Sequence, residues 1–397
     1  LIMLKVLPVA SSIARETDIK HVVKNFRDLY PELKLEEAVN DENKAEVESA
    51  GSEVMALIIT GGTERIIGAC KKSARSFVAI YHDSLNSMPA ALEASAEFGF
   101  KAFHIKDQEE IKSYAKAVEI AEEMRSERLL LFGDPSPWLV YSGYGQNPES
   151  MIEKVEEQEI EELIELARTA KVKDEEISEI RSRAESIGPS FEDFRTSLKI
   201  EKAIRKMLEQ RGTKFFSIKC FDLLEPLKGT ACLALSRLND EGYVAACEGD
   251  IAASVTMLLL SKASGLPSFM GNVESVNDRS IFLAHCTSPT KMLSGFKYMT
   301  HFESGMGVGI AGKIKEGETV TVARVDTKKK IIRAGIGKVL SEPFREDVCR
   351  TQVRVELENP SLVVERPIGN HYALTLGDHL RLLEFIAYVE GYEFERI

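Results

Sequence analysis

The first 145 residues of this chain switch repeatedly between two kinds of segment, and that switching restricts its fold more than any other feature. "MLKVLPVA", "VMALIIT", "SFVAIYH", "KAFHI" and "RLLLFG" are short apolar runs of strand length. Between them, around residues 15–29, 63–73, 87–98 and 107–125, apolar residues recur at helical spacing. Strands that alternate with helices of this length connect as βαβ units, which place the strands parallel in a sheet.

The pattern then changes twice. Residues 147–212 are rich in both charges, as in "EEQEIEELIELARTAKVKDEEISEIRSRAESIG", with apolar residues at helical spacing. Solvated helices carrying i,i+4 ion pairs account for this stretch. It bridges to a second α/β unit, with strands "FFSIKC", "YVAAC" and "IFLAHC" and helices near 230–239 and 251–264. After residue 292, "GVGIAGKI", "ETVTVARVD", "KKIIRAGIGKVL" and "TQVRVELE" are separated by turn signals such as "KEGE" and "DTKK". That spacing predicts an antiparallel, β-barrel-like module, followed by one last amphipathic helix in "GDHLRLLEFIAYVEG". The expected organisation is therefore α/β with three domains: residues 1–146; residues 147–292, carrying Glu248 and His285; and residues 293–397 with the terminal helix.

Composition sets outer bounds. A chain of 397 residues is too long for one core. Its 44% hydrophobic and 29% charged content describes a folded, soluble class. The net charge of −12 argues against a general nucleic-acid or anionic-membrane binder, while leaving room for a local basic pocket. Six cysteines without a CxxC pair read as reduced core thiols. No secretory h-region is visible and "VTMLLL" is too short to span a bilayer, so a cytoplasmic location is expected. Only five glutamines lean the composition towards a thermophile. "TGGTE" follows a strand and opens a helix but lacks the GxGxxG spacing, and a plain tight turn is the better reading.

The segment "YVAACEGDIAASVTMLLL", Tyr243 to Leu260, places two carboxylates and a glycine between two buried elements. Asp250 precedes a helix and reads as its N-cap. Glu248 stands at the carboxyl end of a buried strand, where α/β folds present side chains to a ligand crevice. Buried there, it requires a cation or a donor. An ion pair with a nearby Lys or Arg is one answer. His285, ending "IFLAHC", and His371, in "IGNHYALTLGDH", offer another, because Mn²⁺ and similar cations accept mixed carboxylate and imidazole sets. Both histidines can equally be satisfied core residues. Trp138, in the strand-end loop "GDPSPWLV", either stacks on a sugar's C–H face or fills core.

"IKCFDLL", "CLALSRLNDEGYVAACEGDI", "PSFMGN", "FLAHCTSP", "HFESGMGVGIAG" and "GNHYALTLGDH", in this order, resemble the L-fucose isomerase and L-arabinose isomerase superfamily, most closely its short fucose-isomerase-like branch. The shared segments span about residues 215–380; "GGTE", "NSMPAALE" and "GDPSPWLV" are similar too, though less specific. The resemblance implies two Rossmann-like α/β units with parallel sheets, followed by a β-barrel-like C-terminal domain. It also implies a metal-dependent aldose–ketose isomerase acting on a small carbohydrate, with a divalent metal, usually Mn²⁺, in a trimer or hexamer. No nucleic-acid or membrane partner is expected.

By the same resemblance the metal ligands fall on Glu248, His285 and His371, with Glu248 also catalytic. The second catalytic acid of the family would fall at Gly271-Asn272. Asn272 keeps an oxygen but cannot accept a proton at neutral pH. Asp222 is the expected replacement acid, with Asp250 and Lys219 as further candidates. Lys219, Asn272, His301, Glu303 and Trp138 complete the expected substrate-binding set. Two other functions fit the same residues: a sugar-binding or regulatory protein without turnover, and an epimerase or lyase sharing enediol chemistry. A nicotinamide dehydrogenase is disfavoured by the missing glycine fingerprint.

Overall fold

Short, mainly apolar runs such as "EVMALI", apolar after Glu53, bury every residue, as strands covered on both faces must. In the computed structural model, which describes residues 4–397, these runs build parallel sheets. Met3, the first residue of the strand expected at the N-terminus, lies outside the described residues.

Two units are distinguished. The first comprises residues up to Glu122 together with Glu384–Tyr392. Its sheet holds β1 (Lys5–Val9), β2 (Glu53–Ile58), β3 (Ser76–Tyr81) and β4 (Lys101–His104), all parallel and in that spatial order. Helices Glu64–Ser73 and Ser87–Phe98 bury Ile67, Cys70, Ala90 and Ala94 in its core. From the second stretch of the unit, the Tyr388 hydroxyl donates to the Phe77 carbonyl at 2.8 Å.

The second unit, Glu123–Leu383 with Glu393–Ile397, holds a parallel sheet and a barrel. The parallel sheet orders β5 (Arg128–Phe132), β6 (Lys154–Gln158), β7 (Phe215–Ile218) and β8 (Val244–Cys247) as β6-β5-β7-β8. The fifth strand along the chain thus belongs to this sheet, not to the first. Lys154–Gln158 lies in the charged stretch that reads as helical; it is an edge strand, where polar side chains blunt further pairing.

The barrel uses β9 (Phe269–Val276) and β10 (Ser280–His285). β11 (Gly295–Met299) and β12 (Gly309–Lys313) pair separately as an antiparallel ribbon. β13 (Thr319–Asp326), β14 (Ile331–Leu340), β15 (Thr351–Glu356) and β16 (His371–Leu376) complete the barrel. Six antiparallel strands close in the order β13-β16-β9-β10-β15-β14, with β14 returning to β13; β17 (Glu393–Arg396) adds parallel to β14. "IFLAHC", read as part of the second α/β unit, is therefore a barrel strand. Alternate residues fill the interior, among them Ile281 and Leu283, Val320 and Val322, Val353 and Val355, Tyr372 and Leu374.

β14 crosses its neighbours at two glycines. A Cβ at Gly337 would lie 1.9 Å from the Glu356 carbonyl oxygen and 2.8 Å from Val355 Cγ1. Backbone cannot yield as a flexible side chain can. Gly337→Ala is expected to destabilise the second unit by about 3 kcal/mol, the upper range for overpacking, read as a lowered denaturation midpoint.

The helix Ile251–Ser264 positions the site. Asp250 caps it, accepting from Ala253 N at 2.7 Å, and Gly265 ends it in the left-handed conformation. Residues Ile251 to Leu260 are buried all round. The Thr256 hydroxyl accepts from Val325 N at 2.9 Å, and Ser264 Oγ lies 3.2 Å from Thr375 Oγ1, which seats the helix on β13 and β16. Among the described residues no helix is long and apolar enough to cross a membrane, and all six cysteines are free thiols.

Candidate active site

β8 ends at Cys247, and the next two residues both turn left-handed, Glu248 at φ +63° and Gly249 at φ +69°. That conformation costs a non-glycine residue roughly 1–2 kcal/mol. It reverses the chain into the helix within one turn, Asp250 N donating to Cys247 O at 3.2 Å. Gly249 has a second constraint. A Cβ there would stand 2.9 Å from Pro135 Cα and 3.1 Å from the Asp134 carbonyl oxygen. The loop after β5 thus packs backbone against backbone on this turn, and Ser136 N donates to Glu248 O at 2.9 Å.

That loop carries Trp138, whose indole Nε1 donates to Glu248 Oε2 at 2.6 Å. The other carboxylate oxygen, Oε1, lies 3.7 Å from His285 Nε2 and 3.6 Å from His371 Nε2. His285 is the last residue of β10 and His371 the first of β16, the strands on either side of β9. The two rings are 5.7 Å apart. One donor atom from each of Glu248, His285 and His371 lies within 4.8 Å of the others, and all three residues are buried.

Both nitrogens of His285 and Nε2 of His371 are buried without a hydrogen-bond partner. Leaving such a group unpaired costs about 1–3 kcal/mol each. One carboxylate and two imidazoles with unpartnered nitrogens form a donor set that fits a divalent transition-metal ion. The cluster has the composition and spacing to hold one.

The charges are strongly coupled. Burial favours the neutral form of Glu248, but the His285 and His371 imidazoles outweigh it and hold the carboxyl well below its usual range. Burial likewise opposes charge on His371, yet its bond to Asp250 and the nearby Glu248 push it up to about 9. Burial keeps His285 below its usual value against the attraction of Glu248. His301 is held down to about 4, by burial first and then by His285. Glu303 is raised by burial and by the charge of Glu248.

The remaining expected site residues divide into groups. Phe221 bridges two of them, its ring edge-to-face with Trp138 at 4.9 Å and with His301 at 5.5 Å. His301 and Glu303 occupy the turn between β11 and β12, where His301 Nδ1 lies 3.0 Å from Ser304 Oγ. Lys219 pairs with Asp134 at 2.7 Å and with Asp222 at 3.4 Å, a separate ion-pair group. Asn272 is the cross-strand partner of His371, and its Oδ1 accepts from Asn370 Nδ2 at 2.6 Å. Reading the sequence missed three participants: the second oxygen of Asp250, which faces His371; Phe221; and Arg324. Only the last left a signal, an arginine inside the apolar strand "TVTVARVD".

The L-arabinose isomerase central domain family matches residues 140–264, which include Glu248 and the helix that Asp250 caps. The chain is 25% identical over 292 residues to a sulfoquinovose isomerase of Alkalicoccus urumqiensis, covering 68% of this chain and 65% of that protein. It is 25% identical over 293 residues to a sulfoquinovose isomerase of Clostridium sp. (strain MSTE9), covering 68% and 64%. A sulfoquinovose isomerase of Priestia megaterium matches over 192 residues, again at 25% identity, covering 44% and 42%. The chain therefore spans somewhat less than two thirds of the length of these relatives. Two parallel α/β sheets and a closed barrel accompany this similarity to sugar isomerases. By these matches the chain is similar to the arabinose/fucose isomerase superfamily.

Proposed function

We propose that this protein interconverts an aldose and its ketose, with Glu248, His285 and His371 holding a divalent cation. The observation that carries the reading is the convergence of these three buried groups, with imidazole nitrogens that lack any other partner. When bound, the cation, Mn²⁺ in the first instance, supplies Lewis-acid stabilisation of negative charge developing on the sugar's oxygens. Glu248 stays ionised beside the imidazoles, with Trp138 fixing its second oxygen. Glu303, its carboxyl raised, is suited to carry a proton between C1 and C2 through a cis-enediol. Asp222 is the other candidate for that transfer; its carboxylate is engaged by Lys219. His301, neutral at physiological pH, offers a hydrogen bond to a sugar hydroxyl, as do Lys219 and Asn272. Trp138, half exposed, offers its ring face to the sugar's C–H groups.

The test is an assay of purified protein with Mn²⁺ against aldoses, their phosphates and sulfoquinovose, following ketose formation. Chelator-sensitive turnover of one of them is expected. Stabilisation by a sugar without turnover, unaffected by chelator, would instead identify a sugar-binding protein, the function that Asn272 in place of an acid favours. Epimer or cleavage products would identify an epimerase or lyase. A trimeric or hexameric assembly and a cytoplasmic setting complete the proposal; light scattering checks the former.

Trp138→Phe removes the donor to Glu248 while keeping an aromatic ring against Phe221. A hydrogen bond to a charged group contributes about 1.5–3 kcal/mol, less where solvent reaches it. Steady-state kinetics should show kcat/KM about tenfold lower, with little change in melting temperature.

A further inference from the structure

We infer that Asp250 is a positioning residue that fixes the tautomer of His371, keeping the proton on Nδ1 and turning the Nε2 lone pair towards Glu248. Capping a helix needs one side-chain oxygen, and serine or asparagine serves as well as aspartate. Asp250 Oδ1 does that work, accepting from Ala253 N at 2.7 Å. Oδ2 is surplus to the cap and lies 2.9 Å from His371 Nδ1. An ionised carboxylate only accepts hydrogen bonds, so Nδ1 must be the donor. The lone pair of a neutral ring is then on Nε2, the nitrogen 3.6 Å from Glu248 Oε1 that has no hydrogen-bond partner.

Arg324 braces the pair. Its Nη1 lies 3.5 Å from Asp250 Oδ2 and donates to the His371 carbonyl at 2.7 Å, while Nε donates to Ile368 O at 3.3 Å. The guanidinium thus ties the carboxylate to the backbone of the histidine it orients. Asp250, His371 and Arg324 come from a helix cap and two barrel strands, and all are fully buried. Such outer partners set the orientation of metal-binding imidazoles; that consequence rests on reading His371 as a ligand, whereas the tautomer does not.

Two substitutions separate steering from support. Asp250→Asn is nearly isosteric and keeps the cap, but it presents an N–H₂ group to Nδ1 and drives the ring proton to Nε2. Asp250→Ser keeps the cap and leaves Nδ1 without direction. A purely structural role ranks Asn closer to the native protein than Ser. Tautomer control ranks Asn last, with Mn²⁺ affinity by calorimetry falling about 10- to 100-fold and Ser falling less.

The tautomer is also read directly, by two-bond ¹⁵N–¹H correlations of ¹⁵N-histidine in metal-free protein, with pH raised until the His371 signals no longer shift; His371 is assigned by its loss in His371→Gln. An Nδ1–H ring in the native protein and an Nε2–H ring in Asp250→Asn are expected. An Nε2–H ring in the native protein, or no change in Asp250→Asn, overturns the inference. If Asp250→Asn fails to fold, retention of a pure Nδ1–H ring in Asp250→Ser overturns it, and a mixture supports it. Absence of Mn²⁺ binding by the native protein would sink the metal reading, while the tautomers still decide this one.

Discussion

Glu248→Gln should leave a folded protein with turnover reduced by about 10³-fold or more, within the range for removing an acid–base or metal-holding group. Glutamine preserves the shape of the side chain and still accepts from the Trp138 indole. It removes the negative charge that faces both imidazoles across 3.6 and 3.7 Å. Two consequences follow at once. A divalent cation loses its only anionic ligand in the cluster, so Mn²⁺ affinity should fall by at least about 100-fold. His371 loses one of the two carboxylates that hold its proton, so it should titrate below the native value of about 9. Kinetics, calorimetry and circular dichroism check the three parts together. Native turnover in a well-folded Glu248→Gln protein would remove Glu248 from the mechanism.

The second large effect is on pH. A metal must displace the proton from any imidazole it binds. His371 holds that proton up to about 9, because Asp250 and Glu248 outweigh the burial that opposes charge. Apparent Mn²⁺ affinity should therefore rise about tenfold per unit between roughly pH 6 and pH 9, then level off. Each Mn²⁺ bound at pH 7 should release about one proton from His371, measurable by calorimetry in buffers of different ionisation enthalpy. A plateau beginning near pH 6.5, the ordinary imidazole value, would contradict this. Stability of the metal-free protein carries the same signature with its own sign. The folded pKa is raised, so the His371 contribution is complete below about 6.5 and is lost as pH rises through about 9. His301 acts at the other end: its folded value of about 4 makes the protein lose stability as pH falls from about 6.5 towards 4.

Much of this architecture was legible because local pattern reports burial. "VMALI" and "VAAC" are apolar throughout, and β2 and β8 are buried throughout. Pattern does not report which strand pairs with which. "RLLLFG" and "IFLAHC" look like any strand covered on both faces, yet β5 joins the second sheet and β10 pairs antiparallel in the barrel. β16 shows its pattern less plainly: "HYALTL" begins beside Gly369 and Asn370, and its alternation is weak.

The candidate site was partly visible for the same physical cause. Glu248, His285 and His371 all stand at strand termini, where a polar side chain interrupts an apolar run and therefore attracts notice. Their convergence depends on β10 and β16 flanking β9, with Asn272 paired to His371 across one side and to Ala284 across the other. Nothing local encodes that. Asp250 read as a helix cap and as a spare acid, and neither reading points to His371 as the partner of its second oxygen.

The central claim is that Glu248, His285 and His371 form a divalent-cation centre. Crystals grown with Mn²⁺ and measured at the manganese absorption edge test it most directly. The account predicts one anomalous peak enclosed by Glu248 Oε1, His285 Nε2 and His371 Nε2, lost in Glu248→Gln. Well-ordered crystals with no peak there, or with manganese bound only elsewhere, would contradict it.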